Sequence, residues 1–170
     1  MELTKQEIAI KDACILIDLY ELNLFDDFFQ LDIISYTTPQ IISEIKNVEQ
    51  AIKMLTLVNS CQLKIDSEGD IQAIYEISTM YSALSLADCS VLESAARKKA
   101  IILSSDGTLR KISNSENLIV RGILWIIEEL YNKTIITKQT AIEKLDKYKS
   151  INAWAPLNEI KKLVAKLSNK

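Results

Sequence analysis

Five short apolar runs, at residues 8–12, 33–36, 61–65, 100–103 and 118–120, alternate along this chain with stretches whose apolar residues recur at helical spacing. The first run leads into Ile17, Leu19, Leu22, Leu24, Phe25 and Phe28, which reads as one helix. The second leads into Thr38-Pro39, a capping residue and a first-turn proline, ahead of Ile41, Ile42 and Ile45. Further helices are expected over 48–58, 67–80, 85–98, 106–112 and 122–131. Neighbouring parallel strands need a crossover between them, and a helix supplies it, so this alternation specifies an open, mostly parallel α/β sheet sandwiched by helices. That layout is assigned to residues 1–130. Residues 131–170 are expected to form a basic helical extension packed on the same domain, with helices at 137–148 and 157–167 joined by the turn at 152–156.

Composition then restricts the chemistry. The chain has no histidine, which excludes Ser-His-Asp and Cys-His catalysis and any His-ligated zinc. Three glycines and two prolines provide neither a P-loop nor a GxGxxG turn. Cys14, Cys61 and Cys89 are odd in number and set in apolar stretches, the pattern of reduced, buried thiols rather than a disulfide scaffold. The start, MELTKQE, has neither a basic nor an apolar leader segment, and no apolar run approaches the roughly 20 residues that span a bilayer. A soluble, cytoplasmic protein without a membrane partner is expected. The net charge of −3 conceals an asymmetry: residues 1–130 hold 11 basic and 20 acidic residues (−9), and residues 131–170 hold 9 and 3 (+6). An acidic body favours cations, and a basic tail favours phosphates or an acidic protein.

In an open parallel sheet the reactive site lies beyond the carboxyl ends of the strands. Acids dominate there. Asp12 ends the first run, Glu44 follows the second, Asp88 falls in the first turn of the helix at 85–98, and Asp106 follows the run at 100–103. Each has a structural reading. Asp12 and Asp106 suit N-caps, Ser85-Leu86-Ala87-Asp88 has the form of a capping box, and Glu44 suits a solvated helix position. Four acids at successive strand ends nevertheless repel one another unless cations neutralise them.

The succession Asp12-Ala-Cys-Ile-Leu-Ile-Asp-Leu, Thr38-Pro-Gln-Ile-Ile-Ser-Glu44-Ile, Leu86-Ala-Asp88 with Leu92 and Ala95-Ala96, and Ile101-Ile-Leu-Ser-Ser-Asp106-Gly-Thr-Leu-Arg resembles PIN-domain proteins over about residues 7–130. The resemblance implies a Mg²⁺- or Mn²⁺-dependent endoribonuclease acting on single-stranded RNA and leaving a 5′-phosphate and a 3′-hydroxyl. It makes Asp12, Glu44, Asp88 and Asp106 the metal-binding and catalytic quartet, with Ser104 as a supporting hydroxyl. It also implies a toxin role with an antitoxin protein as partner. One residue departs from the pattern: Ala13 stands where the family usually has Thr or Ser directly after the first Asp. That departure supports the alternative of a catalytically inactive PIN-fold module binding RNA or protein. A phosphoaspartate receiver fits less well, because Lys11-Asp12-Ala13 lacks the acidic pair such a site uses.

The remaining polar residues receive structural readings. Asp18, Asp26, Asp27 and Glu93 are expected to be solvated, Arg110 to pair with Asp106 one turn away, with contact to a substrate phosphate as the other use, and Arg97-Lys98-Lys99 to complement a helix carboxyl end, with a substrate role as the alternative. Trp154 is expected to anchor its turn, with stacking on a base as the other use. The tail lysines are expected mainly to solvate packed helices, with some contribution from Lys161 and Lys162 to RNA binding. The face carrying Leu157, Ile160, Leu163, Val164 and Leu167 suits core packing, a protein partner or a second copy in a homodimer.

Overall fold

The computed structural model describes residues 7–169, so most of the amino-terminal stretch read for a leader lies outside the described residues. The chain runs β1 (Glu7–Lys11), α1 (Ala13–Glu21), α2 (Phe25–Phe28), β2 (Ile33–Thr37), α3 (Pro39–Glu44), α4 (Val48–Asn59), β3 (Lys64–Ile65), α5 (Ile71–Met80) and α6 (Leu86–Lys98). It continues through β4 (Ile101–Leu103), α7 (Gly107–Ser115), β5 (Val120–Arg121), α8 (Ile123–Asn132), α9 (Lys138–Ile151) and α10 (Leu157–Ser168). The five strands form one all-parallel sheet in the order β3-β2-β1-β4-β5. Ala9, Ile10 and Lys11 of β1 are all fully buried, and so is most of β4, as strands covered by helices on both faces must be. Helices α3, α5 and α6 pack together, with α6 against β1 and β4, while α8 packs against α1, α2, α9 and α10. One buried apolar cluster extends from Ala9 in β1 to Leu167 in α10.

The sheet order reverses between β1 and β4. The chain builds outward from β1 through β2 and β3, then returns to place β4 on the other side. Residues leaving β1 and β4 therefore meet at the switch point, the crevice in which open α/β sheets hold ligands.

Several local expectations need correction. The helix read through Phe28 is broken into α1 and α2 by Asn23, whose φ of 52° is left-handed. The Asn23 amide bonds the Tyr20 carbonyl and the Leu24 amide the Leu19 carbonyl, the pair of bonds that closes a Schellman end. Helix α5 starts at Ile71 rather than near Ser67, because Asp70 accepts from the Gln72 and Ala73 amides and caps it there. The edge strands are shorter than their apolar runs: β3 keeps two residues paired to Tyr36 and Thr37, and β5 two paired to Ile102 and Leu103. Cys14 is half-buried and Cys61 exposed, so only Cys89 of the three free thiols is buried.

Lys11, last residue of β1, is 0% exposed and its Nζ has no hydrogen-bond partner among the described residues. Its ammonium position lies 4.4 Å from the Phe28 ring centroid and 5.7 Å from that of Phe29. Burial drives its pKa well below the ordinary lysine value. A depressed lysine pKa means that the unfolded chain binds the extra proton, so stability rises with pH up to the unfolded value near 10.5. Lys11→Met keeps the stem and removes the unpartnered amine. It is expected to stabilise the fold by about 1–3 kcal/mol and to flatten denaturant midpoints measured across alkaline pH. An unchanged or lower midpoint would show that the amine is solvated.

Candidate active site

Asp12 follows β1 and caps α1: its backbone is extended and Oδ1 accepts from the Ile15 amide at 2.9 Å. Its own amide bonds the Leu103 carbonyl at the end of β4, which ties the two strand ends together. The carboxylate is 2% exposed. Ser104 Oγ donates to Asp12 Oδ2 and accepts from the Asp106 amide at 3.0 Å, so one hydroxyl bridges the acids that follow β1 and β4. Asp106 caps α7 through Oδ1, which accepts from the Leu109 amide at 2.7 Å, and its other oxygen points to no donor. Asp88 closes the capping box of α6, with Oδ2 accepting from the Ser85 amide and hydroxyl at 3.0 and 2.9 Å while Oδ1 has no partner. The structural and functional readings of these acids therefore coexist. Asp106 and Asp88 each use one oxygen to cap a helix and leave the other without a hydrogen-bond partner among the described residues.

Burial raises the Asp12 pKa to about 6; bonds from Ser104, Ile15 and Cys14 pull it down, and the charge of Asp88 pushes it up further. Asp88 thus lies close enough to be felt at Asp12. The structure connects Asp12, Ser104 and Asp106 directly and Asp88 through its charge. Glu44, exposed at the end of α3, is tied to none of them. Among the described residues, no three Asp, Glu or Cys side chains converge closely enough to share one ion. The donor set is all carboxylate and hydroxyl oxygen, the chemistry that Mg²⁺ and Mn²⁺ accept. The donor set fits such an ion in kind.

Cys14 takes up a role that the sequence left open. Its Sγ donates to both Asp12 oxygens at 3.1 Å and accepts from the Ser105 amide at 3.2 Å. Burial and the Asp12 charge push the thiol pKa far up, which keeps its proton in place. Cys14 and Ser104 together supply the hydrogen bonds that Ala13 cannot. The only sequence signal was position, two residues beyond a capping Asp.

A second layer supports the loop. Ser105 Oγ donates to Asp18 Oδ2 at 2.5 Å, and Tyr148 from α9 also hydrogen-bonds Asp18. Asn152 donates to the Tyr148 hydroxyl at 2.9 Å, and burial holds that phenol up at about 12. Asp18 is therefore buried rather than solvated, and burial raises its pKa. Glu93 is likewise buried, because Arg97 binds it at 2.7 Å. Asp26 is solvent-exposed as expected, and Asp27 is half-exposed. Arg110 does not pair with Asp106. Its guanidinium donates to the Ser104 carbonyl at 3.1 Å, an approach left open by Gly122, where a Cβ would sit 3.0 Å from that guanidinium.

Much of the basic tail is spent on the protein itself. Lys144 and Lys147 donate to the carbonyls of Leu22 and Glu21 at 2.8 and 2.6 Å, covering the carboxyl end of α1. Lys149, Lys162 and Lys166 pair with Asp146, Glu159 and Glu128. Among the described residues Lys161 has no such partner. Among the described residues no helix is long and apolar enough to cross a membrane.

The crystal structure of PAE2754 from Pyrobaculum aerophilum is similar in fold, with 13% identity and a TM-score of 0.54 over 73% of this chain and 96% of that one. No curated protein matches the chain. The DUF3368 family model, described as a PIN domain, matches residues 8–169, which takes in the sheet, the acids at its switch point and the helices beyond. The chain belongs to this PIN-domain family, and PIN domains are generally nucleases that typically use divalent metals.

Proposed function

We propose that the protein is a divalent-metal-dependent endoribonuclease that cleaves phosphodiester bonds of single-stranded RNA. The observation that carries this reading is Asp12: a carboxylate buried at the switch point, bridged through Ser104 to Asp106 and repelled by Asp88. Such a group is destabilised without a counter-ion. A Mg²⁺ or Mn²⁺ bound there would activate water and neutralise phosphate charge. Asp12, Asp88 and Asp106 would hold the ion, and Glu44, exposed at the end of α3, would hold a water on it or contribute directly. Ser104 and Cys14 fix the orientation of Asp12, and their donated hydrogen bonds favour its ionised form.

The second reading, a PIN-fold module that binds RNA or protein without cutting, draws support from the acids that do not converge on one point. Purified protein incubated with mixed single-stranded RNAs, with Mg²⁺, with Mn²⁺ and with chelator, separates the two. The nuclease reading expects cleavage with metal and none with chelator. Intact RNA under every condition would leave the binding module. Within the nuclease reading, an antitoxin and a second copy are the protein partners to seek, by co-expression with the neighbouring reading frame and by light scattering.

A further inference from the structure

The turn at 152–156 holds its shape without the Trp154 ring. Asn152 Oδ1 accepts from the Trp154 amide at 2.9 Å, and the Asn152 carbonyl accepts from Ala155 at 3.0 Å. The Trp154 side chain is 93% exposed, which overturns the expectation that it anchors the turn. An indole held out on a fixed backbone loses apolar burial and gains nothing from the fold. It stands at the rim of a cleft of about 340 Å³ whose lining includes Ser104, Arg110, Arg121, Trp125 and Glu159. Ser104, whose hydroxyl binds Asp12, is one of the lining residues, so the cleft adjoins the acid site through that residue. Arg121 is exposed and makes no ion pair among the described residues, and Glu159 is engaged by Lys162 at 3.0 Å. The cleft thus combines an aromatic platform with an uncommitted guanidinium. Its size falls in the ~300–1,000 Å³ range of small-ligand sites.

We infer that this cleft binds one unstacked nucleotide of a single-stranded nucleic acid next to the cleaved position, the base stacking on Trp154 and a phosphate meeting Arg121. The placement relative to cleavage rests on the nuclease reading; the binding itself does not. Stacking on an exposed ring and a salt-sensitive phosphate contact are the two elements of sequence-tolerant single-strand binding.

The test is fluorescence anisotropy of labelled oligoribonucleotides and oligodeoxynucleotides with full-length Asp12→Asn protein, which holds the strand uncut. Adding Trp154→Ala is expected to weaken binding about tenfold, and Trp154→Tyr to restore most of it. Arg121→Gln is expected to weaken binding and to lower the salt slope by about one. Trp154 is exposed, so its removal leaves the circular dichroism and melting temperature unchanged. The RNA and DNA arms identify which strand the cleft takes. Unaltered binding by both Trp154→Ala and Arg121→Gln, or no binding of either strand by the parent, would overturn the inference. Trp154-dependent binding in a protein that never cuts RNA would uphold the cleft and remove the nuclease reading. A protein that binds at Trp154 with nucleic acid excluded from the cleft would overturn it in favour of a protein partner.

Discussion

Asp12→Asn is expected to abolish metal-dependent RNA cleavage and, at neutral pH, to make the protein more stable. Both effects come from one buried carboxyl. Asparagine caps helices as well as aspartate, so α1 keeps its bond from the Ile15 amide. The charge, however, is gone. Burial raises the Asp12 pKa from 3.8 to about 6, so the folded state holds a proton that the unfolded chain has released. The associated stability is fully present below about pH 4 and is lost as pH rises through 6. The gap corresponds to about 3 kcal/mol, undiscounted because the carboxyl is 2% exposed. Urea midpoints for the wild type should fall between pH 4 and 6.5 and then level off, while the Asn variant lacks this component. Millimolar Mn²⁺ at pH 7.5 should raise the wild-type melting temperature and leave the variant unmoved, a readout independent of catalysis. Full cleavage by the variant would remove Asp12 from the site. A Mn²⁺ shift that survives the substitution would move the ion elsewhere.

The second large effect is expected at Arg97. Asp66, just beyond β3, is 3% exposed and Glu93 6%. Arg97 reaches both, at 2.5 and 2.7 Å, while Lys98 lies 3.5 Å from Asp66 and over the Tyr36 ring at 4.5 Å. Burial alone would raise Asp66, but bonds from Ser94 and Arg97 outweigh it and leave its pKa below the ordinary value. Hydrogen bonding to Glu93 raises the Arg97 pKa in turn. Arg97→Met strands the buried Glu93 and leaves Asp66 with Lys98 as its remaining cation, and is expected to cost about 3–5 kcal/mol, a drop in melting temperature of about 10 °C or more. Adding Glu93→Gln to Arg97→Met should recover part of the loss, since the stranded charge is then removed. A loss below about 1 kcal/mol would place the cluster among exposed ion pairs. Its pH dependence is opposite to that of Asp12: the depressed Asp66 contributes stability above about pH 4 that is lost under acid.

The parallel sheet and the acids after β1 and β4 were legible because each rests on local chemistry. An apolar run, then a capping Asp, then helical spacing can be read without knowing the neighbours. The capping box at Ser85 and Asp88 is of the same kind. Asp18 was misjudged because its partners are distant in sequence, whereas Glu93, Arg110 and Trp154 were misjudged because spacing alone does not say which nearby group each side chain meets. Tyr148 is 130 positions from Asp18. Edge strands β3 and β5 were overextended for a related reason: where pairing stops depends on how long β2 and β4 are, and their own apolar runs carry no such information. The family resemblance pointed to the deficit at Ala13, but not to the thiol of Cys14 that fills it.

Helix α1 begins at Asp12 and ends beneath Lys144 and Lys147. The helix that carries the central acid is therefore held at one end by the sheet and at the other by α9. Shortening the chain at residue 130 to isolate the sheet would uncover the last carbonyls of α1 and remove Tyr148 from Asp18 in a single cut. Loss of cleavage in such a fragment would report a slackened acid site together with the lost Trp154 ring, and would not by itself assign a nucleic-acid grip to the tail.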